Sequence, residues 1–444
     1  MKPNLVILVF VLVCSSVVAQ NEAQQAANFL GKRAVSDTRT SALDSLFRSY
    51  RVYELEARAI KEFVINKKAE SNLRLQLDND YNWNLTLQPS HHPTSSATIT
   101  LGTERGLEKV SLLPALQLKG ILSNKITNSE VRLTIDDDFI YGFIRDGSSI
   151  YFIQPLRQFI KGSPRNEFVV YEKSQGYATT GAVCGVDDSN WKPTGPEKIR
   201  QKSSVVIQQE LNYYTAVDYS IYQRLDFSVR DILNTMSGII NLVEGNFDNE
   251  FKDPFWVNGI SPDTFYISTC PTCDPWTTSA NAEDLLASFR DWGNKNTNCT
   301  DNGRLSQLWT NRDIFGIDNN GNQDSDVVGL AYRGETVCTK NGYQALQYFT
   351  PVADDLRNLV AHETGHNFNC RHDYEGDTPP CTPVPPAYIM APAINGSNEW
   401  SHGAFPSACD KNSTATINGY YPDVDCLTLS YGYPLPGGDR WVDF

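Results

Sequence analysis

Residues 362–372 read His-Glu-Thr-Gly-His-Asn-Phe-Asn-Cys-Arg-His, and no other stretch limits what this chain can fold into so tightly. The chain has six histidines, and three of them stand here. On a helix His362 and His366 are i and i+4, so their rings leave one face a single turn apart. Both can then reach one zinc ion at the usual Zn–N length of ~2.0–2.1 Å. His372 has to come back to the same ion from another direction, so the helix must stop between them. Asn369 sits where a left-handed residue would end it. Asp354 and Asp355 are placed to cap its start, ahead of Leu356, Leu359 and Val360. Three neutral histidines leave a fourth corner of a tetrahedron open, the pattern of a reactive rather than a structural zinc site. Glu363, next to the first ligand, is placed as general base: zinc lowers the pKa of bound water to about 7, and a carboxylate there can take its proton. The expected reaction is hydrolysis of a peptide bond, with Glu363 returning the proton to the leaving amine. The alternative, histidines satisfied on an ordinary helix, leaves the third His and the Glu unexplained. His91, His92 and His402 lack any such context and read as surface residues.

The N-terminus reads as a secretory signal over residues 1–19. Lys2 precedes an apolar run from Leu5 to Val13, and Val17-Val18-Ala19 offers a small-residue cleavage site. The run is too short to span a bilayer, no later stretch reads as a transmembrane anchor, and the segment from Thr428 is polar and Pro/Gly-rich. The expected location is extracellular, where disulfides persist. Asn84, Asn298, Asn395 and Asn412 head N-x-S/T triplets. The chain has ten cysteines; Cys14 would leave with the signal, and the odd remainder leaves one thiol over. Cys184 stands far upstream of the rest and is the natural odd one out. The single Cys270-Pro271-Thr272-Cys273 pair reads as part of a disulfide staple. A net charge of −14 argues against a nucleic-acid partner.

Residues 20–185 have strand character. Leu73, Leu75 and Leu77 alternate with polar residues, and Trp83, Leu85 and Leu87 follow. The runs 139–144 and 150–153 flank Arg145-Asp146-Gly147-Ser148-Ser149, which predicts a hairpin. Residues 186–204, with Pro193, Gly195, Pro196 and three basic residues, predict an exposed linker open to an activating protease; Lys32-Arg33 is a second candidate cut. Beyond 205 the pattern turns α/β: a strand over 205–222, a helix through Ile232, Met236, Ile239, Ile240 and Val243, another through Leu285, Leu286, Phe289 and Trp292, and a strand within 326–338.

The 362–372 stretch resembles the metzincin signature, and Asp373 directly after the third His resembles the ADAM/reprolysin (adamalysin-like) branch. Tyr388-Ile389-Met390-Ala391-Pro392 resembles that branch's Met-turn. The resemblance implies that Met390 forms a hydrophobic floor beneath the ligands and that Asp373 hydrogen-bonds backbone near the turn. It implies that Gly329, Leu330 and Ala331 lie on an edge strand along which an extended protein or peptide substrate pairs; an ordinary core strand is the other reading. Ala182-Val183-Cys184-Gly185-Val186 resembles a cysteine switch, whose thiolate would hold zinc's fourth position in a latent precursor. A buried thiol or a disulfide to the downstream set is the alternative. A structural calcium is compatible with the family, with no ligands legible. The family's Gly is Asn369 here, and no Cys-dense disintegrin-like module follows. The expected fold is therefore α/β: a metzincin-type zincin with a mixed twisted sheet and a long active-site helix, preceded by a β-rich prodomain. The expected layout is a signal (1–19), a prodomain with switch and linker (20–202), a zinc metalloprotease domain (203–430) and a short tail (431–444). Two rivals stand beside the secreted zymogen. An adhesion protein with an inactive zincin domain would be free to lose Glu363; a structural zinc site would need four protein ligands.

Overall fold

A computed structural model of the chain describes residues 27–34, 40–67, 70–90, 97–125, 127–179, 181–187, 208–248, 255–258, 265–296, 304–318, 321–373, 388–401, 413–420 and 428–430. The signal segment, nearly all of the linker, the tail, three histidines (His91, His92, His402), two of the N-x-S/T sites (Asn298, Asn412) and Cys299, Cys381, Cys409 and Cys426 lie outside these residues. Among the described residues no helix is long and apolar enough to cross a membrane.

Two large sheets face each other across a 20-residue helix, Val229–Asp248. The first sheet is drawn wholly from the N-terminal half. Its strands run in the order Ala27–Leu30, Ser71–Gln76, Asn82–Pro89, Leu116–Leu122, Ser129–Asp136, Phe139–Asp146, Ser149–Pro155, Glu167–Glu172, Arg51–Glu54 and Lys32–Arg33. Only the first pair is parallel. The Asp-Gly hairpin forms as its turn chemistry dictates: Asp146 pairs with Ser149, and Gly147 takes φ 64°. Alternation assigns the two faces. Val131, Leu133, Ile135, Ile140, Ile144 and Ile153 point one way, into a core closed by a helix at Ala57–Lys67 that the sequence reading missed. The opposite face splits in two. Strands 116–122 and 129–136 present Gln117, Lys119, Arg132, Thr134 and Asp136, whereas Phe139, Tyr141, Phe143, Phe152 and Tyr171 form an aromatic half.

The second sheet holds the catalytic-type α/β pattern predicted beyond residue 205. Its path is Val183–Cys184, Val327–Ala331, Tyr343–Gln347, Arg304–Thr310, Gln208–Val217, Phe265–Ser268, Ala97–Thr103 and Gly106–Leu112. Pairing is parallel through the middle, and Val327–Ala331 runs antiparallel to its neighbour. The sheet is thus mixed, and strands from the N-terminal half stand at both ends of this path. The strand expected over 205–222 ends at Val217, because Asp218 caps a short helix by accepting the Ile221 amide. The expected helices appear at Val229–Asp248 and Ala282–Asn296, and the expected strand within 326–338 at Val327–Ala331.

The linker reading needs one correction at its start. Val186 is only 9% exposed and packs among Tyr214, Leu330 and Tyr343. Its apolar side chain follows Cys184 into the protein instead of facing water.

Candidate metal centre

The helix Ala353–Asn367 carries both motif histidines. Its start is not capped as the sequence suggested. Asp354 and Asp355 fall in the first turn, and Val352 at the N-cap makes no side-chain cap bond. The Ala353 amide instead donates to Gln154 Oε1 at 3.0 Å, from a strand of the N-terminal sheet. Lys173 pairs with Asp354 at 2.9 Å, and Thr179 donates to Asp355 at 2.5 Å. The far end closes as a left-handed cap requires: Asn369 takes φ 71°, and the Cys370 amide returns to the Gly365 carbonyl at 2.9 Å.

That reversal brings His372 back. The Nε2 atoms of His362, His366 and His372 lie 3.1–3.2 Å apart. His362 Nδ1 donates to the Ile389 carbonyl at 2.7 Å and His366 Nδ1 to the Cys370 carbonyl at 2.8 Å. A carbonyl can only accept, so both rings carry their proton on Nδ1 and turn Nε2 lone pairs toward each other. Facing lone pairs at that distance call for a cation between them. Tetrahedral zinc with Zn–N of ~2.0–2.1 Å sets an N···N edge of about 3.3 Å, close to the spacing found. The donor set and its geometry fit zinc.

Cys184 stands at the fourth corner. Its Sγ is 3.4 Å from His366 Nε2, and the four donor atoms all lie within 4.8 Å of one another. The Val186 amide donates to the sulfur at 3.3 Å, which favours the thiolate. Backbone on both sides holds the cysteine there. The Val183 amide donates to the Asp326 carbonyl at 2.8 Å and the Gly185 amide to Gly329 at 2.9 Å; across the groove the Cys184 amide reaches Pro392 at 3.0 Å, and the Ile394 amide reaches Ala182 at 2.9 Å. Residues 182–185 therefore lie between Gly329, Leu330 and Ala331 on one wall and the segment after Met390 on the other. Cys370 is also a thiol, donating to the Ser413 carbonyl at 3.7 Å, so Cys184 is not alone outside the disulfides. Cys270 and Cys273 are bonded to each other, and Cys338 is also disulfide-bonded.

Glu363 is fully buried, and neither carboxyl oxygen has a hydrogen-bond partner. Burial pushes its carboxyl up to about 8, against the lowering influence of the Cys184 side chain and His372. A divalent cation beside it would draw it down again. A Cβ on Gly329 would lie 2.5 Å from Glu363 Oε1, so the edge strand needs glycine at that point for a reason the sequence did not give. The same holds for Gly365, where a Cβ would lie 2.4 Å from Met390 Sδ and 3.0 Å from Trp400. Met390 packs fully buried under that turn of the helix. Asp373 ties the floor down by two routes. Its amide donates to the Met390 carbonyl at 2.9 Å, and its carboxylate accepts from Ser401 at 2.7 Å and Ser413 at 3.3 Å. The hydroxyl partners, Gly365 and Trp400 were not singled out from sequence; each depends on chain segments that only the fold brings together.

Three histidines from a helix and its reversal, above a methionine floor and beside the antiparallel strand of a mixed sheet, define the zinc-peptidase class of α/β proteins. Residues 208–401 match the family model for metallo-peptidase family M12, reprolysin type. Over that stretch the chain is a reprolysin-type metzincin. Its relatives include snake venom metalloproteinase acutolysin-C of Deinagkistrodon acutus, 27% identical over 57% of this chain and 56% of the relative. Snake venom metalloproteinase H5 of the same species is 26% identical over 57% and 58%. Zinc metalloproteinase-disintegrin-like BfMP of Bungarus fasciatus is 23% identical over 53% of this chain and 37% of its own length. The chain spans about half the length of the curated relatives it matches.

Proposed function

We propose that the chain is the latent precursor of a secreted zinc endopeptidase. The observation that carries this reading is the convergence of three Nε2 atoms and one thiol within 4.8 Å, with a buried carboxyl alongside. His362, His366 and His372 would hold the ion. Zinc in that position supplies a Lewis acid for the scissile carbonyl and brings the pKa of coordinated water to about 7. Glu363 is the base: its oxygens take the proton of the attacking water and pass it to the leaving nitrogen. Burial leaves no competing donor to that carboxylate. An extended protein or peptide substrate pairs with the backbone of Gly329, Leu330 and Ala331.

Cys184 keeps the precursor silent by occupying the corner the water needs, while residues 182–185 fill the groove. Cutting the linker frees them. Residues 20–202 act as the prodomain and 203–430 as the metalloprotease domain. Secretion is supported by the N-terminal apolar run, by the Cys270–Cys273 disulfide and by relatives named for venom, a secreted fluid. Asn84 and Asn395 are exposed and open to glycosylation.

The decisive measurement is cleavage of a generic protein substrate before and after the linker is cut, with and without a zinc chelator. Activity should appear on cutting and vanish with the chelator. The Cys184→Ala precursor should be active uncut. A cut chain carrying one equivalent of zinc and no activity would overturn the assignment.

A further inference from the structure

The second sheet ends, away from Cys184, on a hairpin that belongs to the N-terminal half. We infer that the strand Phe265–Ser268 is a strand-accepting surface whose partner is the chain's own segment 97–112, and that this segment stays in the sheet after the linker is cut. The pairing is parallel, from Phe265 with Ile99 to Ser268 with Gly102, and Thr269 extends it by donating both its amide and its hydroxyl to the Gly102 carbonyl at 2.9 Å. Ile99 is fully buried in the same apolar cluster as Phe265 and Ile267, and Leu101, Val110 and Leu112 pack against it. Gly102 is fitted to its seat: a Cβ there would lie 2.2 Å from the Tyr266 hydroxyl, which donates to the Cys273 carbonyl at 2.8 Å. The roots of the excursion are tied to the helix Val229–Asp248. Ser90 donates to Asn241 at 3.1 Å, and the Leu113 carbonyl accepts from Arg230 at 2.8 Å.

Charge distribution says which strand is meant to be the edge. Phe265-Tyr266-Ile267-Ser268 carries no charge and is buried throughout. Stripped of its neighbour, it would present unpaired amides and carbonyls along an apolar strand, which invites aggregation. The outer strand of the hairpin instead exposes Glu108 and Lys109, the residues natural edges use. The opposite edge differs. There the covering strand is two residues long, Val183–Cys184, and is built to leave.

This inference takes from the proposed function only the event of linker cutting. The test uses the full Glu363→Gln chain, to prevent self-digestion, with a sequence-specific protease site placed within 190–200. Amide hydrogen exchange of 265–269 is followed by mass spectrometry before and after the cut. Protection should be unchanged by cutting. Thr100→Pro or Gly102→Val should speed exchange there at least tenfold in the cut chain, and Cys184→Ala should not. A tenfold rise in the cut parent chain, or folded hairpin variants that exchange no faster than it does, would overturn the inference. Absence of peptidase activity after the same cut in the chain that keeps Glu363 would count against the latency reading and leave the exchange result standing.

Discussion

Glu363 separates metal binding from chemistry, because it neighbours the ligands without being one. Glu363→Gln keeps the side chain's shape and removes its basicity. Zinc content should stay at one per chain, and turnover by the cut enzyme should fall about 10²–10⁴-fold; metal analysis beside a peptidase assay reads both. Gly329 is a sharper probe, since it touches no proposed ligand. A methyl group 2.5 Å from Glu363 Oε1 and 2.6 Å from Leu359 must push the carboxylate aside. A displacement approaching 1 Å at a reacting group costs on the order of 10²-fold in rate. Gly329→Ala should therefore lose activity with zinc content intact, and equal turnover in variant and parent would discard the steric account. At Asn369 the φ of 71° tolerates glycine but not a β-branched residue.

At the scale of elements, the helix Ala353–Asn367 starts on borrowed partners. Its first amide is satisfied by Gln154, and its first-turn acids by Lys173 and Thr179, all from the N-terminal half. Gln154→Leu leaves the buried Ala353 amide and the Pro351 carbonyl without their partner and should cost the intact precursor about 1–3 kcal/mol. Asp355 adds a pH dependence. Burial lifts its carboxyl to about 6, the Thr179 hydroxyl draws it down, and Asp354 lifts it further. The folded state thus holds this proton more tightly than the unfolded chain does. Its contribution is complete below pH ~4 and is lost as pH rises through about 6, a change of about 3 kcal/mol. Other carboxylates such as Asp136, drawn down by Arg230 and Lys61 despite its burial, act with the opposite sign. The readout is therefore the stability of the precursor minus that of Asp355→Asn, measured from pH 4 to 7. That difference should fall with rising pH, and a flat difference would show that Asp355 does not titrate in this range. The elements themselves were largely legible, because alternation around Leu73 and helical spacing around Met236 are local signals. The ligand spacing and the left-handed Asn369 were legible for the same reason. Gln154, Gly329 and Trp400 were not. Each owes its part to a neighbour far away in sequence, and spacing along the chain carries no trace of that.

The whole molecule is held together by a face that mixes two kinds of contact. Aromatic residues of the first sheet pack into the shared core, but over the helix Val229–Asp248 the same face is charged. Arg230 pairs with Asp136, and Asp231 with Arg157 at 2.9 Å. Glu244 meets Arg132 at 3.0 Å and Lys119 at 3.9 Å, all three essentially inaccessible to water. Such a buried group adds little net stability over an apolar replacement, yet removing one partner strands the others at a cost of about 3–5 kcal/mol. Arg132→Met leaves Glu244 and Glu130 facing each other with Lys119 as the remaining cation, so the intact precursor should lose stability in that range by chemical denaturation. Adding Glu244→Leu removes one of the stranded acids and should recover most of the loss; a double variant no more stable than Arg132→Met alone would mean that shape rather than charge holds this contact. Charges that are buried only while two halves touch regain their water when the halves part. That favours an interface able to open after processing, whereas an apolar face of equal area would leave a sticky surface on the enzyme. The helix between the two sheets is therefore where the precursor's cohesion and its capacity to come apart are set together.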